Sequence, residues 1–131
     1  MFSQEKHVLQ AGTVNLISYT IDGVEQSNNI KYLNINSKEN GFYELKIKYK
    51  NGGDNHEYIT FKIENIVRKG NKQTGQLKEM VLEDTASWAY YDGDAVGTIE
   101  IDYKNKLTTI EILYHFSKYS QANYKIVWKN E

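Results

Sequence analysis

Phe42-Tyr43-Glu44-Leu45-Lys46-Ile47-Lys48-Tyr49-Lys50 decides the fold. Tyr43, Leu45, Ile47 and Tyr49 fall on every second position, and Glu44, Lys46, Lys48 and Lys50 fill the positions between them. Successive side chains of a β-strand point to opposite faces, so this pattern is a strand with one face buried and the other in water. Asn40-Gly41 precedes it, a pair suited to the left-handed backbone of a tight hairpin, and Asn51-Gly52-Gly53-Asp54-Asn55 ends it in a turn.

The same period extends in both directions. Towards the N-terminus, Thr13 to Ile21 places Ile17, Tyr19 and Ile21 on one face, with Val14 and Leu16 on the other, before the turn pair Asp22-Gly23. Ile30 to Asn36 is a second strand. Towards the C-terminus, His56 to Arg68 carries Ile59, Phe61, Ile63 and Val67 inward, with a bend expected near Glu64-Asn65. Gly70 to Gly75 reads as a polar loop. Gln76 to Glu83 fits two periods, since Leu77, Met80, Val81 and Asp84 match a helical turn and Met80 and Leu82 match a strand; strand is the reading adopted.

Ala86 to Tyr91, Val96 to Tyr103, Leu107 to Phe116 and Asn123 to Lys129 complete the set. Ile99, Ile101, Tyr103, Ile110, Ile112, Tyr114, Phe116, Tyr124, Ile126 and Trp128 are expected to face inward. Short strands about 8 to 12 residues apart, joined by hairpin turns, indicate an all-β chain. The expected fold is an antiparallel up-and-down meander of about eight to ten strands closed into a barrel, with a β-sandwich as the alternative. Residues 1–131 are expected to form a single domain. Closure into a barrel removes the exposed strand edges that invite aggregation.

Gly12-Thr13-Val14-Asn15-Leu16-Ile17-Ser18-Tyr19, followed by Asp22-Gly23 and Asn40-Gly41-Phe42-Tyr43, resembles the lipocalin-like and fatty-acid-binding-like barrel proteins. Those families open on a Gly-x-Trp strand; here Val14 stands at the Trp position. The resemblance implies a barrel and, as one reading of function, a small hydrophobic ligand.

Charge is distributed unevenly. Between Glu79 and Tyr103 lie Glu79, Glu83, Asp84, Asp92, Asp94, Glu100 and Asp102 with no Lys or Arg, although the whole chain has a net charge of only −1. Trp88, Tyr90 and Tyr91 fall in the same window. Acids around exposed rings suit the capture of a basic protein, because the field steers encounter and the rings anchor the complex. Glu83, Asp84, Tyr90, Tyr91, Asp92, Asp94, Glu100 and Asp102 are therefore the candidate partner-binding residues. Tyr91 and the turn acids are expected outside, and Trp88 in the core.

Other chemistries find little support in the sequence. With no Cys there is no thiolate nucleophile, disulfide or thiolate metal site. His7, His56 and His115 are far apart in sequence, and no Ser sits in a Gly-x-Ser-x-Gly elbow. Asp92-Gly93-Asp94-Ala95-Val96-Gly97 is a poor calcium loop, because Val96 stands where an oxygen ligand is needed. Lys46, Lys48 and Lys50 form a stripe, but Tyr43 and Tyr49 lie on the opposite face, which does not make a stacking platform for nucleic acid. Met1 to His7 has no apolar stretch of the kind a secretory signal needs, so none is expected, and no run of about 20 apolar residues occurs in the sequence.

The expectation is a cytoplasmic, monomeric, non-enzymatic protein without cofactor, nucleic-acid or membrane partner. Its function would be that of an immunity-protein-like inhibitor of a basic partner such as a nuclease toxin. The alternative is a ligand-binding barrel, which the bulky inward residues Tyr43, Ile47, Tyr49, Phe61, Ile112, Tyr114, Phe116 and Trp128 disfavour by filling the interior.

Overall fold

Tyr43, Leu45 and Ile47 are buried along the strand Phe42–Tyr49, while Glu44 and Lys46 between them are half-buried on the outer face. The computed structural model describes residues 9–51, 56–84, 89–91, 94–117 and 120–130, and for 84, 89–91, 94, 116, 117 and 120 the backbone alone. Among these residues the chain forms eleven strands and two single 3-10 turns, and no α-helix. The strands are β1 (Gly12–Thr13), β2 (Asn15–Ile21), β3 (Val24–Glu25), β4 (Ile30–Ser37), β5 (Phe42–Tyr49) and β6 (His56–Lys69). The second half supplies β7 (Lys72–Asp84), β8 (Ala89–Tyr91), β9 (Asp94–Asp102), β10 (Leu107–Ser117) and β11 (Ser120–Lys129).

All of them belong to one antiparallel sheet in the order β1-β4-β5-β6-β7-β9-β10-β11-β2-β3, with β8 on β7. The two ends of this path meet in one stretch of chain. Gly12 and Thr13 pair with β4 and the Val14 N–H donates to the Leu33 carbonyl at 3.0 Å, whereas Asn15 onward pairs with β11. The ladder to β4 stops there, so the sheet curls into a half-barrel whose closure is incomplete. Hairpin chemistry accounts for the meander: Asp22 (φ 51°), Gly23 (φ 83°), Asn40 (φ 61°) and Gly41 (φ 82°) take the left-handed backbone that tight turns need.

The interior is filled. Tyr19, Leu33, Leu45, Ile47, Ile59, Phe61, Ile110, Ile112, Tyr114 and Ile126 are all at 0% exposure. Each buried aliphatic or aromatic side chain contributes about 1.5–3 kcal/mol by leaving water, which is why alternation alone selects the sheet's inner face. Space is tight where β7 runs between β6 and β9. A Cβ added at Gly75 would lie 2.7 Å from Ile63 Cγ2 and 3.3 Å from Ile99 Cγ2, so only glycine lets these branched residues meet there. Gly75→Ala is expected to cost about 1–2 kcal/mol by overpacking, read from denaturant unfolding; an unchanged midpoint would contradict the packing described.

Four expectations are corrected, and β-bulges explain two of them. On β2 the register to β11 skips Ile17, which is 50% exposed, so that Leu16 and Tyr19 both turn inward. On β6 the pairing jumps from Glu64–Gln76 to Val67–Thr74, with Asn65 at φ 55°; the expected bend is present, and it leaves Val67 exposed rather than buried. The loop expected at Gly70 to Gly75 is a two-residue turn, because Lys69 already pairs with Lys72 and the polar residues after it are surface positions of β7. Tyr103 sits in the turn after β9 and is 41% exposed.

A bulge also resolves the double period of Gln76 to Glu83. Glu79 adopts φ 53°, and the pairing skips from Thr60–Val81 to Lys62–Lys78, so Glu79 and Met80 together face Phe61. Leu77, Met80 and Leu82 therefore all reach the core, three residues apart and then two. That spacing imitates a helical turn while the backbone stays extended.

Candidate functional site

The acidic window of the sequence is divided in space. Antiparallel pairing of β7 with β8 sets Leu82 against Tyr91, Glu83 against Tyr90 and Asp84 against Ala89. The backbone of Asp94, pairing with His115, opens β9 at the same end of the half-barrel. Glu83 is exposed there, in register with Tyr58 of β6. Trp88 and Asp92 lie outside the described residues, as does the expectation for which rings face out. At about 3.3 Å per residue, Glu100 and Asp102 lie some 20–26 Å further along β9, at the opposite end.

Their surroundings differ too. Asp102 accepts from the Lys104 and Asn105 N–H groups, both at 3.1 Å, and from Asn105 Nδ2 at 2.8 Å. These donors, the Asn105 N–H foremost, hold its carboxyl below the usual carboxylate range and tie it to the β9–β10 turn. Glu100 lies 4.0 Å from Lys72 and Glu79 lies 3.2 Å from Lys62. Lysines from outside the window thus meet acids within it, and neither Glu100 nor Asp102 joins the acid group at the β7–β8 end.

A carboxylate that the sequence reading passed over lies at that end. Glu57 pairs in register with Ile47 on one side and with Asp84 on the other, and shares the inner face with Ile59 and Phe61. Tyr19 Oη donates to Glu57 Oε1 at 2.7 Å and Tyr49 Oη donates to the same oxygen at 3.0 Å. Tyr124 packs beside Tyr19 with ring centroids 6.4 Å apart. Burial, and then the Glu57 charge, push the Tyr19 and Tyr49 phenols well above the ordinary tyrosine range. Alternation from Ile59 back to Glu57 was the available signal, since an acid two residues before a buried Ile shares its face.

The other end holds a cleft of about 610 Å³. Leu9, Ile35, Ile101 and Trp128 supply its apolar surface, and Lys106 and Lys129 are among its polar lining. Among the described residues, no group of three or more His, Asp or Glu could hold a metal ion, and no helix is long and apolar enough to cross a membrane. Lys48, expected in the solvated stripe, is only 8% exposed; its cross-strand partners Tyr32 and His56 flank it. His56 Nε2 lies 3.4 Å from Tyr32 Oη, and His115 is half-buried opposite Gln121.

Glu25 forms a clasp over the edge of β2. It accepts from Ser18 Oγ at 2.7 Å, the Tyr19 N–H at 2.9 Å and the Ser27 N–H at 3.2 Å. The Ser18 hydroxyl, then the Tyr19 amide, draws its pKa down to about 2. A depressed carboxylate stabilises the fold above its unfolded-state pKa and loses that contribution as pH falls through the folded value. A carboxyl-detected NMR titration is expected to place the Glu25 midpoint near 2, and Ser18→Ala to raise it; a midpoint in the ordinary range would contradict the clasp.

Compared with protein-family models, curated proteins and solved structures, the chain has no match.

Proposed function

We propose that this protein is a non-enzymatic, intracellular binding module of the inhibitor kind, which covers a basic site on a protein partner such as a nuclease toxin. The observation that carries the reading is the gathering of Glu83, Asp84, Tyr90, Tyr91 and Asp94 at one end of the half-barrel by the β7–β8–β9 pairings. The half-buried Glu57 stands next to Asp84 in the adjoining strand. Asp92, between Tyr91 and Asp94 in sequence, lies outside the described residues. Glu100 and Asp102 do not.

Such an end attracts Lys and Arg of a partner over several ångströms, while tyrosines supply contact area at low entropic cost. The filled interior supports this reading over a lipocalin-like or fatty-acid-binding-like barrel, since Phe61, Ile112 and Tyr114 occupy the space a ligand would need. One observation favours that alternative: the cleft of about 610 Å³ at the far end is large enough for a small amphiphile. Native mass spectrometry of the purified protein separates the two. The inhibitor reading expects the bare chain mass, together with recovery of a basic protein in affinity capture. A retained fatty acid would reverse the ranking.

A further inference from the structure

The end of the half-barrel away from Glu83 and Asp84 carries an opposite charge. Three segments meet there: the β6–β7 turn, the β9–β10 turn and the end of β11. The Tyr103 N–H donates to the Asn71 carbonyl at 2.8 Å, joining the first to the second, and the Asn130 N–H donates to the Lys106 carbonyl at 2.7 Å, joining the second to the third. Arg68, Lys69, Lys72, Lys104, Lys106 and Lys129 are all exposed on these segments. Among the described residues the nearby carboxylates are Glu64, exposed on β6 before the bulge, Glu100, 4.0 Å from Lys72, and Asp102, held in its turn. Lys69, Lys104, Lys106 and Lys129 have no ion pair among the described residues.

Apolar side chains stand among these cations. The bulge at Asn65 breaks the alternation of β6, so two successive aliphatic residues, Ile66 (43%) and Val67 (50%), are exposed together. Tyr103, in the neighbouring β9–β10 turn, is exposed as well, with the Arg68 guanidinium 4.1 Å from its ring centroid and its hydroxyl on Gln73. Adjoining exposed apolar residues rimmed by charged ones mark a surface suited to a partner that is both apolar and anionic. A nucleic acid would reward the lysines but prefers free aromatic faces for stacking, and Tyr103, the exposed ring among the described residues here, carries Arg68 over its face.

We infer that this end docks peripherally on an anionic lipid bilayer. The lysines and Arg68 engage the headgroup charge, and Ile66 and Val67 enter the boundary between headgroups and acyl chains. This contact differs from a membrane span, and it departs from the sequence expectation of no membrane partner. It is independent of the proposed inhibitor function, whose acids lie at the other end and would face away from the lipid.

The test is co-sedimentation of the full chain with phosphatidylcholine vesicles, with and without phosphatidylserine. Binding is expected only with phosphatidylserine, and is expected to weaken as salt rises. Lys69→Gln/Lys104→Gln/Lys129→Gln should lower partitioning by about a hundredfold, at roughly fivefold per cation near an anionic surface. Ile66→Ser/Val67→Ser should lower it by about tenfold while leaving the charge intact. Both variants alter exposed positions, and a far-ultraviolet spectrum and unfolding midpoint matching the parent would confirm that each is folded. No sedimentation of the parent with phosphatidylserine would overturn the inference. So would equal binding to phosphatidylcholine alone, or partitioning undiminished in either folded variant.

Discussion

Phe61→Ala is expected to cost about 3–5 kcal/mol, enough to remove a large part of the stability of a domain this size. Phe61 is fully buried, its ring centroid lies 6.2 Å from that of Tyr43, and Glu79 and Met80 of the β7 bulge lie opposite it. That bulge exists because two residues are accommodated against one, so the space left by the ring cannot close without shifting the register of β6 and β7. The cost should therefore fall in the upper part of the range for large-to-small changes, where collapse around the site is poor. Val96→Ala serves as the control. Val96 is 61% exposed, and its truncation should change stability by no more than about 0.5 kcal/mol. Equilibrium urea unfolding reads both; a Phe61→Ala midpoint close to the parent's would mean that the β6–β7 register is wrong.

Glu57→Leu is expected to destabilise by about 2 kcal/mol or more. The substitution removes the acceptor for both Tyr19 and Tyr49, and Tyr19 is completely buried, so its hydroxyl would be left without that partner in an apolar setting. Tyr19→Phe combined with Glu57→Leu should recover part of the loss, because the orphaned donor is then gone. Glu57→Gln keeps an acceptor and should cost less than Glu57→Leu. The phenols supply a second readout. With pKa values raised above the ordinary tyrosine range, Tyr19 and Tyr49 stay protonated in the fold. Stability therefore falls as pH rises past the unfolded tyrosine value, where only the unfolded chain releases these protons. Additive effects of Tyr19→Phe and Glu57→Leu would show that the two groups do not interact.

Strand identity was legible wherever the pleat is regular. Phe42 to Tyr49 (Lys48 apart), Leu107 to Tyr114 and Asn123 to Lys129 read correctly because each residue buried or exposed leaves its mark at period two, and Asn40-Gly41 announced the hairpin by its backbone requirement. The pattern lost its meaning at bulges. One extra residue at Ile17, Asn65 or Glu79 reverses the faces that follow, and a single chain carries no mark of the partner strand that fixes where the slip occurs. Lys48 misled for a different reason: its flanking residues, Tyr32 and His56, come from neighbouring strands.

The candidate site was legible in part. A window of acids in sequence was read as one surface, yet β9 carries Asp94 at one end of the half-barrel and Asp102 at the other. Contiguity along a strand therefore separates charges that composition groups together. Glu57 was available to alternation and was missed because an acid does not advertise itself as an inner residue. Its partners Tyr19 and Tyr49 come from β2 and β5, and only the curled sheet brings them together.

The claim that the β7–β8 end grips a basic partner is tested most directly by association kinetics at several ionic strengths, using the protein recovered by affinity capture. Two charge reversals are compared, Glu83→Lys/Asp84→Lys at the proposed face and Glu100→Lys at the opposite end. Charges near an interface act mainly on encounter, so the first pair should slow association by about tenfold at low salt and flatten its salt dependence. The Glu100 reversal should leave the association rate within about twofold of the parent's, because that residue is distant and already faces Lys72. Equal effects from the two ends, or no effect from either, would contradict the account.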